Sequence, residues 1–232
     1  MNAYVLPPPK VTSLPVVGQD GRFPVRRVIC VGRNYADHAR EMGNDPDKEP
    51  PFFFYKPTDA IFVAHADGTE MPYPPMTSNL HYEIELVVAI GREGTSIDTE
   101  SAQSHIYGYA VGLDMTRRDL QLKAREMGRP WDWGKGFDKS APCGPIYTAE
   151  TVGSLASSEI GLHVNGQTRQ KASLTDLIWS VPEIIAHVSA SISLLPGDLI
   201  FTGTPAGVGP VEPGDQMTGY VEGLGEISVK VI

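Results

Sequence analysis

Glu83, Glu85 and Asp114 are three carboxylates whose spacing suits one hard cation. The glutamates fall in the run His81-Tyr-Glu-Ile-Glu-Leu-Val-Val-Ala-Ile90, where they alternate with Tyr82, Ile84 and Leu86. On a strand this alternation makes one apolar face of Tyr82, Ile84, Leu86, Val88 and Ile90. It places Glu83 and Glu85 together on the other face, about 7 Å apart. Asp114 closes a second strand-like run, Tyr107-Gly-Tyr-Ala-Val-Gly-Leu-Asp114, from which its side chain can turn toward the pair. Carboxylates this close repel one another unless a positive charge sits between them. Oxygen-only ligation suits Mg²⁺, Mn²⁺ or Ca²⁺ and not zinc. A Glu-x-Glu pair on a strand is more often a solvated face, so the metal reading depends on what accompanies it.

The accompanying residues supply a base, a clamp and a cation. His38 and Glu41 stand three apart in a segment that reads as a short helix, so they share a face. A carboxylate beside an imidazole fixes its tautomer and raises its basicity, as a water-activating base requires. The common alternative is a surface ion pair. Arg118 and Gln121 follow Asp114 by four and seven residues, on one helical face. Lys135 lies between Gly134 and Gly136, where the backbone can approach a ligand and the ammonium can stabilise an enolate or oxyanion. Trp131 and Trp133 read as core packing. Phe201-Thr-Gly-Thr-Pro-Ala-Gly-Val-Gly209 offers Thr204 and exposed amides to a carboxylate, or is a plain turn.

The elements that must position these groups are short. The chain has 232 residues, 41% hydrophobic and 20% charged, as a soluble globular protein does. Its 24 glycines and 20 prolines are spread along its length and favour turns between strands. Strands are expected at 25–31, 52–55, 82–90 and 106–114. Helices are expected from Asn34, as its cap, to about Met42, at 116–127, and for about ten residues from Pro182. A helical segment is expected near 98–105. Asn165-Gly166 signals a hairpin. The predicted architecture is an extended arm at 1–24 and one β-rich α+β catalytic domain at 25–232, with a turn-rich lid near 34–55. Phe52-Phe-Phe-Tyr55 is read as a buried strand.

The net charge of −9 and pI near 5.1 argue against nucleic acid as a partner. Cys30 and Cys143 are too few and too far apart for a disulfide framework or zinc site, which points to a reduced, cytoplasmic protein. Cys30 reads as a small core residue. No run approaches the length of a membrane span, and the N-terminus lacks the pattern of a signal peptide. Elbow, Walker, Rossmann and zincin motifs are missing, so those enzyme classes are disfavoured.

The motifs resemble the fumarylacetoacetate hydrolase family. The matching elements are Gly32-Arg-Asn-Tyr-x-x-His38-x-x-Glu41, Lys56-Pro57, His81-x-Glu83-x-Glu85, Leu113-Asp-Met-Thr-x-Arg-Asp119, Gln121, Gly134-Lys135-x-Phe137, Val164-Asn-Gly166 and Thr202-Gly-Thr-Pro-x-Gly-Val208. They run from about residue 25 to the C-terminus in the family's order. The resemblance implies a central mixed β-roll or sandwich with short flanking helices, a homodimer, and one Mg²⁺ or Mn²⁺ held by Glu83, Glu85 and Asp114. It implies that His38 and Glu41 activate water from a lid, and that Lys135, Gln121, Arg118 and Thr204 contact substrate or oxyanion. The chain resembles the small, single-domain branch. The implied reaction is metal-dependent hydrolysis of the carbon–carbon bond of a 2,4-dioxo acid. The loops at 22–27, 43–54 and 128–138 most resemble members that cleave fumarylpyruvate in gentisate-type aromatic catabolism. A distal carboxylate would need a cation, for which Arg33, Arg118 and Lys56 are candidates. The alternatives are an acylpyruvase or oxaloacetate decarboxylase, a decarboxylating isomerase of homoprotocatechuate catabolism, and a non-catalytic binding protein for small acids.

Overall fold

A computed structural model describes residues 4–41 and 50–232. Most of the turn-rich segment expected at the heart of the lid, 43–51, lies outside them. Among the described residues the main sheet runs in the order Phe52–Lys56, Arg27–Gly32, Asp198–Phe201, Ile84–Ile90, Ile106–Leu113, Ala141–Cys143, Ile61–Val63. It is mixed: Asp198–Phe201 lies parallel to Arg27–Gly32 and antiparallel to Ile84–Ile90. A second, five-stranded sheet runs Gln167–Ser173, Glu159–Val164, Gln216–Val221, Glu226–Val231, Thr69–Met71. The hairpin between its first two strands turns at Asn165 and Gly166, both with positive φ, as the Asn-Gly signal requires.

The Ile84–Ile90 strand is buried on both faces, which its sequence states only in part. Ile84, Leu86, Val88 and Ile90 enter the larger core with Leu162, Met217 and Val229 of the second sheet. Val87 and Ala89 point the other way, into a smaller core with Cys30, Leu199 and Phe201. Leu14 and Phe23 close that smaller core. They stand on the antiparallel pair Ser13–Pro15 and Arg22–Pro24, inside the expected arm. The face of Glu83 and Glu85 is therefore dry, not solvated.

A third, small sheet decides where the site lies. Its order is Thr116–Arg117, Leu80–Tyr82, Gly209–Val211. Each strand continues a neighbour in the main sheet: Ile106–Leu113, Ile84–Ile90 and Asp198–Phe201. Three adjacent chains thus cross from one sheet to the other at one level. The residues at that seam are Asp114, Glu83 and Thr202 to Thr204.

The helices are short. The Ala36–Glu41 helix starts later than expected, and Asn34 does not cap it. Instead the Asn34 amide donates to the carbonyls of Trp179 and Thr202 and accepts from the Trp179 N–H. The segment expected as one helix over 116–127 divides into the strand Thr116–Arg117 and the helix Arg118–Glu126. Val181–Ser191 is opened by a Ser180–Glu183 capping box with a proline in the first turn. Phe52–Lys56 is an edge strand and half-buried, which corrects its reading as a buried one.

Candidate metal centre and substrate pocket

Register brings the three carboxylates together. The Asp114 N–H donates to the Glu83 carbonyl at 2.8 Å, so these two residues face each other across adjacent chains. Glu85 pairs with Gly112, one step along. One carboxylate oxygen from each of the three lies within 4.8 Å of the others, and all three residues are buried. Side chains directly opposite across a sheet are close enough for this, whereas two glutamates on one strand alone are not.

The partners of the three carboxylates are unevenly shared: Lys56, Lys135 and Arg118 ion-pair with Asp114 and Glu83, and none of them with Glu85. Glu85 accepts from the Gly203 N–H at 2.8 Å. Burial pushes its carboxyl well above the usual range, and the charges of Asp114 and Glu83 push it further. Glu83 is driven the other way: burial opposes its ionisation, but Lys135 and Arg118 outweigh burial and hold it low. Arg118 Nη2 donates to Glu83 Oε1. Asp114 Oδ1 is buried without a hydrogen bond; Lys56 Nζ is 2.8 Å away but not oriented to donate to it. A buried carboxylate oxygen with an ion pair but no hydrogen bond, a second carboxyl that resists ionising and an all-oxygen donor set fit a hard divalent cation.

Lys135 sits at the centre of this cluster. Its ammonium donates to Glu83 Oε2 at 2.7 Å, Asp114 Oδ2 at 2.6 Å and Thr116 Oγ1 at 2.7 Å. Burial opposes its charge, yet Asp114 and Glu83 raise its pKa, so it stays protonated. The glycine before it serves packing: a Cβ at Gly134 would stand 2.9 Å from the Gln121 backbone nitrogen. That corrects the expectation that both flanking glycines let the backbone approach a ligand. Lys56 lies beneath the site, donating to the carbonyls of Met115 and Lys135. This removes it as a partner for a distal carboxylate.

Above the carboxylates is a pocket. His38, Arg33, Arg118, Gln121, Thr204 and Lys135 line it together with Glu83 and Glu85. His38 Nδ1 is 3.4 Å from Glu41 Oε2, and that same oxygen accepts from the Gly207 N–H at 3.2 Å. Burial lowers the His38 pKa below its ordinary value, with Glu83 and Glu41 opposing. The imidazole is therefore neutral near pH 7 and able to accept a proton. Arg118 Nη1 donates to Gln121 Oε1, and Arg118 Nε to His81 Nδ1 at 3.4 Å. His81 is pushed down to about 4 by burial and by Arg118, so it stays neutral with its Nε2–H on Asn79.

Four pocket or supporting residues are not found by reading motifs. Trp131 lines the pocket and meets Phe52 and Phe54 edge-on, at 5.2 and 5.9 Å between ring centres. Trp133 is 78% exposed. Neither tryptophan is core, which corrects the packing reading. Leu122 and Arg125 line the pocket one and two turns along from Arg118; their spacing of four and seven was the available signal. Gln170, on the second sheet, is fully buried. It accepts from the Ile84 N–H at 3.0 Å and donates to Thr204 Oγ1 at 2.9 Å and the Pro205 carbonyl at 2.7 Å. It ties the residue between Glu83 and Glu85 to the Thr204 loop.

Residues 27–232 match the model of the fumarylacetoacetate hydrolase C-terminal family. The chain belongs to the fumarylacetoacetate hydrolase family. It is 50% identical over 192 residues to a fumarylpyruvate hydrolase of Ralstonia sp., covering 82% of this chain and 98% of that one. It is 40% identical over 199 residues to the mitochondrial oxaloacetate decarboxylase of Dictyostelium discoideum, covering 86% and 90%. The crystal structure of fumarylpyruvate hydrolase from Pseudomonas aeruginosa in complex with Mn²⁺ and pyruvate superposes with a TM-score of 0.98. It shares 56% identity over 99% of both chains. The β-rich family fold expected from the sequence is the fold observed. No helix among the described residues is long and apolar enough to cross a membrane.

Proposed function

We propose that this protein is a divalent-metal-dependent hydrolase that cleaves the carbon–carbon bond of a 2,4-dioxo acid, converting fumarylpyruvate and water to fumarate and pyruvate. The observation that carries this reading is the convergence of Glu83, Glu85 and Asp114 beneath a pocket that also receives Lys135 and His38. Likeness to fumarylpyruvate hydrolases over most of the chain supports the substrate. The three carboxylates are the ligands for Mg²⁺ or Mn²⁺, which when bound supplies a Lewis acid and template for the 2-oxo acid end.

The chain's own residues do the rest. Arg118 and Gln121 orient the 2-oxo acid carboxylate, and Thr204 contacts it. His38 takes a proton from water as the water oxygen adds to the 4-carbonyl. Glu41 stabilises the imidazolium that forms. The C3–C4 bond then breaks, and its electron pair leaves with the pyruvate half as an enolate. Lys135, kept protonated by Glu83 and Asp114, turns one of the three N–H groups that now bond to Glu83, Asp114 and Thr116 to the enolate oxygen and stabilises it. The proton taken up by His38 returns to C3, which completes pyruvate and restores the neutral imidazole, and the other fragment leaves as fumarate as its new carboxyl gives its proton to solvent. The segment 34–55 acts as a lid that excludes water during the reaction. A homodimer and a cytoplasmic location belong to the same proposal.

The test is steady-state cleavage of fumarylpyruvate, acetylpyruvate and oxaloacetate by metal-stripped protein, with and without added Mg²⁺ or Mn²⁺. The expected result is metal-dependent turnover with kcat/KM at least about tenfold higher for fumarylpyruvate. Preference for oxaloacetate would overturn the substrate and favour a decarboxylase. No turnover of any of them would overturn the hydrolase reading.

A further inference from the structure

Gln170 is the one buried residue of the Gln167–Ser173 strand, at the edge of the second sheet. The groups it meets leave its amide a single orientation. The Ile84 N–H can only donate, so the atom that takes it at 3.0 Å is the amide oxygen. The Pro205 carbonyl can only accept, so the atom that faces it at 2.7 Å is the amide nitrogen. The second hydrogen of that nitrogen goes to Thr204 Oγ1 at 2.9 Å. A hydroxyl can give or receive a hydrogen bond, but an amide nitrogen can only give one. Thr204 therefore accepts from Gln170 and keeps its own hydrogen. That hydrogen is donated to no group in the described residues. Thr204 is buried and lines the pocket beside Glu85 and Arg118. Its neighbours along the loop are already committed. The Thr202 hydroxyl donates to the Leu86 carbonyl at 3.0 Å, the Gly203 N–H donates to Glu85 at 2.8 Å, and Pro205 has no N–H. Asn34 packs against the same loop: its amide donates to the Thr202 carbonyl at 2.8 Å, and a Cβ at Gly203 would stand 2.7 Å from the Asn34 Cβ.

We infer that Gln170 is a positioning residue that fixes Thr204 as a one-way donor into the pocket, so that the ligand atom seated on Thr204 is a hydrogen-bond acceptor. This inference rests on the reading of the pocket as a 2-oxo acid site, whose carboxylate supplies the acceptor. An anionic oxygen there gains a charge-assisted hydrogen bond. A ligand that offers an N–H at the same place meets a hydrogen facing a hydrogen. The direction of the bond is set by two backbone groups, the Ile84 N–H and the Pro205 carbonyl, neither of which titrates. Gln170 touches no ligand itself and acts through Thr204.

Two measurements test it. Neutron diffraction from deuterium-exchanged, Mn²⁺-loaded protein without substrate reads the direction of the bond directly. The expected map shows two deuterons on the Gln170 nitrogen, one toward Pro205 and one toward Thr204, and the Thr204 deuteron on the pocket side of its oxygen. A Thr204 deuteron directed at Gln170 would overturn the inference. The second measurement is calorimetric titration of pyruvate into the same protein at saturating Mn²⁺. Thr204→Val is expected to weaken pyruvate by about tenfold to a hundredfold, the range for a hydrogen bond to a charged group. Thr204→Ser keeps the hydroxyl and stays within about threefold of wild type. Gln170→Glu has the same shape but at most one hydrogen, which the Pro205 carbonyl takes, so its carboxyl draws the Thr204 hydrogen back out of the pocket. It is expected to match Thr204→Val and to add nothing when the two are combined. Unchanged affinity in Thr204→Val, or losses from the two changes that simply add, would overturn the relay. A wild type that does not bind pyruvate would count against the 2-oxo acid reading alone, because the neutron map decides the direction of the Thr204 hydroxyl without a ligand.

Discussion

Replacing Gln170 by methionine tests whether the second sheet sets the geometry of the carboxylates. Methionine has nearly the same shape but none of the three hydrogen bonds. The change orphans the buried Ile84 N–H and the Pro205 carbonyl, and leaves Thr204 Oγ1 without its donor. An unsatisfied buried backbone group costs about 1–3 kcal/mol, so two of them cost about 3 kcal/mol after partial relaxation. For a domain of this size each kcal/mol is worth about 2–4 °C, which predicts a fall in Tm of about 6–12 °C. The larger interest is in the ligands. Ile84 lies between Glu83 and Glu85, and loss of its anchor frees the crossover on which both depend. Loss of a supporting hydrogen bond behind a metal site typically weakens affinity about 10–100-fold. The assay is paired: thermal melts of the metal-free protein, and Mn²⁺ titration by calorimetry well below the new Tm. Loss of stability with a Mn²⁺ Kd within about twofold of wild type would refute the argument, because Gln170 would then hold the fold and not the site.

Two further outcomes follow from the site. His38→Ala is expected to lower kcat by about 10²–10⁴-fold while Mn²⁺ affinity is retained; in the wild type kcat/KM should fall on the acid side with a midpoint below the ordinary histidine value of 6.5, because burial lowers the His38 pKa and only the neutral ring accepts a proton. Full rate in the alanine variant, or an acid midpoint above 6.5, would remove His38 as the base. Glu85→Gln is expected to abolish tight metal binding yet raise the Tm of the metal-free protein, because it replaces a carboxyl that burial, Asp114 and Glu83 already disfavour in ionised form; a lower Tm would contradict that sign.

The local sequence determined a good deal. Alternation in 82–90 and 106–114 located two central strands, and Asn165-Gly166 and Pro182 located a hairpin and a helix, because these signals act through neighbouring residues. The types and spacing of Glu83, Glu85, Asp114, His38, Glu41, Arg118 and Lys135 were enough to propose a cation, a base and a counter-charge. Reading by neighbours failed where distant contacts set the outcome. Asn34 looks like a helix cap but bonds to Trp179 and Thr202, far along the chain. Trp131 and Trp133 are two apart and alike in type, yet one lines the pocket and the other stands in solvent, because only one faces the edge strand Phe52–Lys56.

Convergence itself belonged to the tertiary structure. Three chains that neighbour one another in the main sheet all cross into the small sheet at one level, and that seam sets Glu83 opposite Asp114 and Gly203 against Glu85. No local pattern encodes a crossover shared by segments more than a hundred residues apart. Gln170 and Arg125 owe their places to the same long-range packing, one from a different sheet and one from the far turn of a helix. Sequence supplies the chemical groups and their short-range periods, whereas distances between groups on different elements are fixed only when buried faces pack and their register is set.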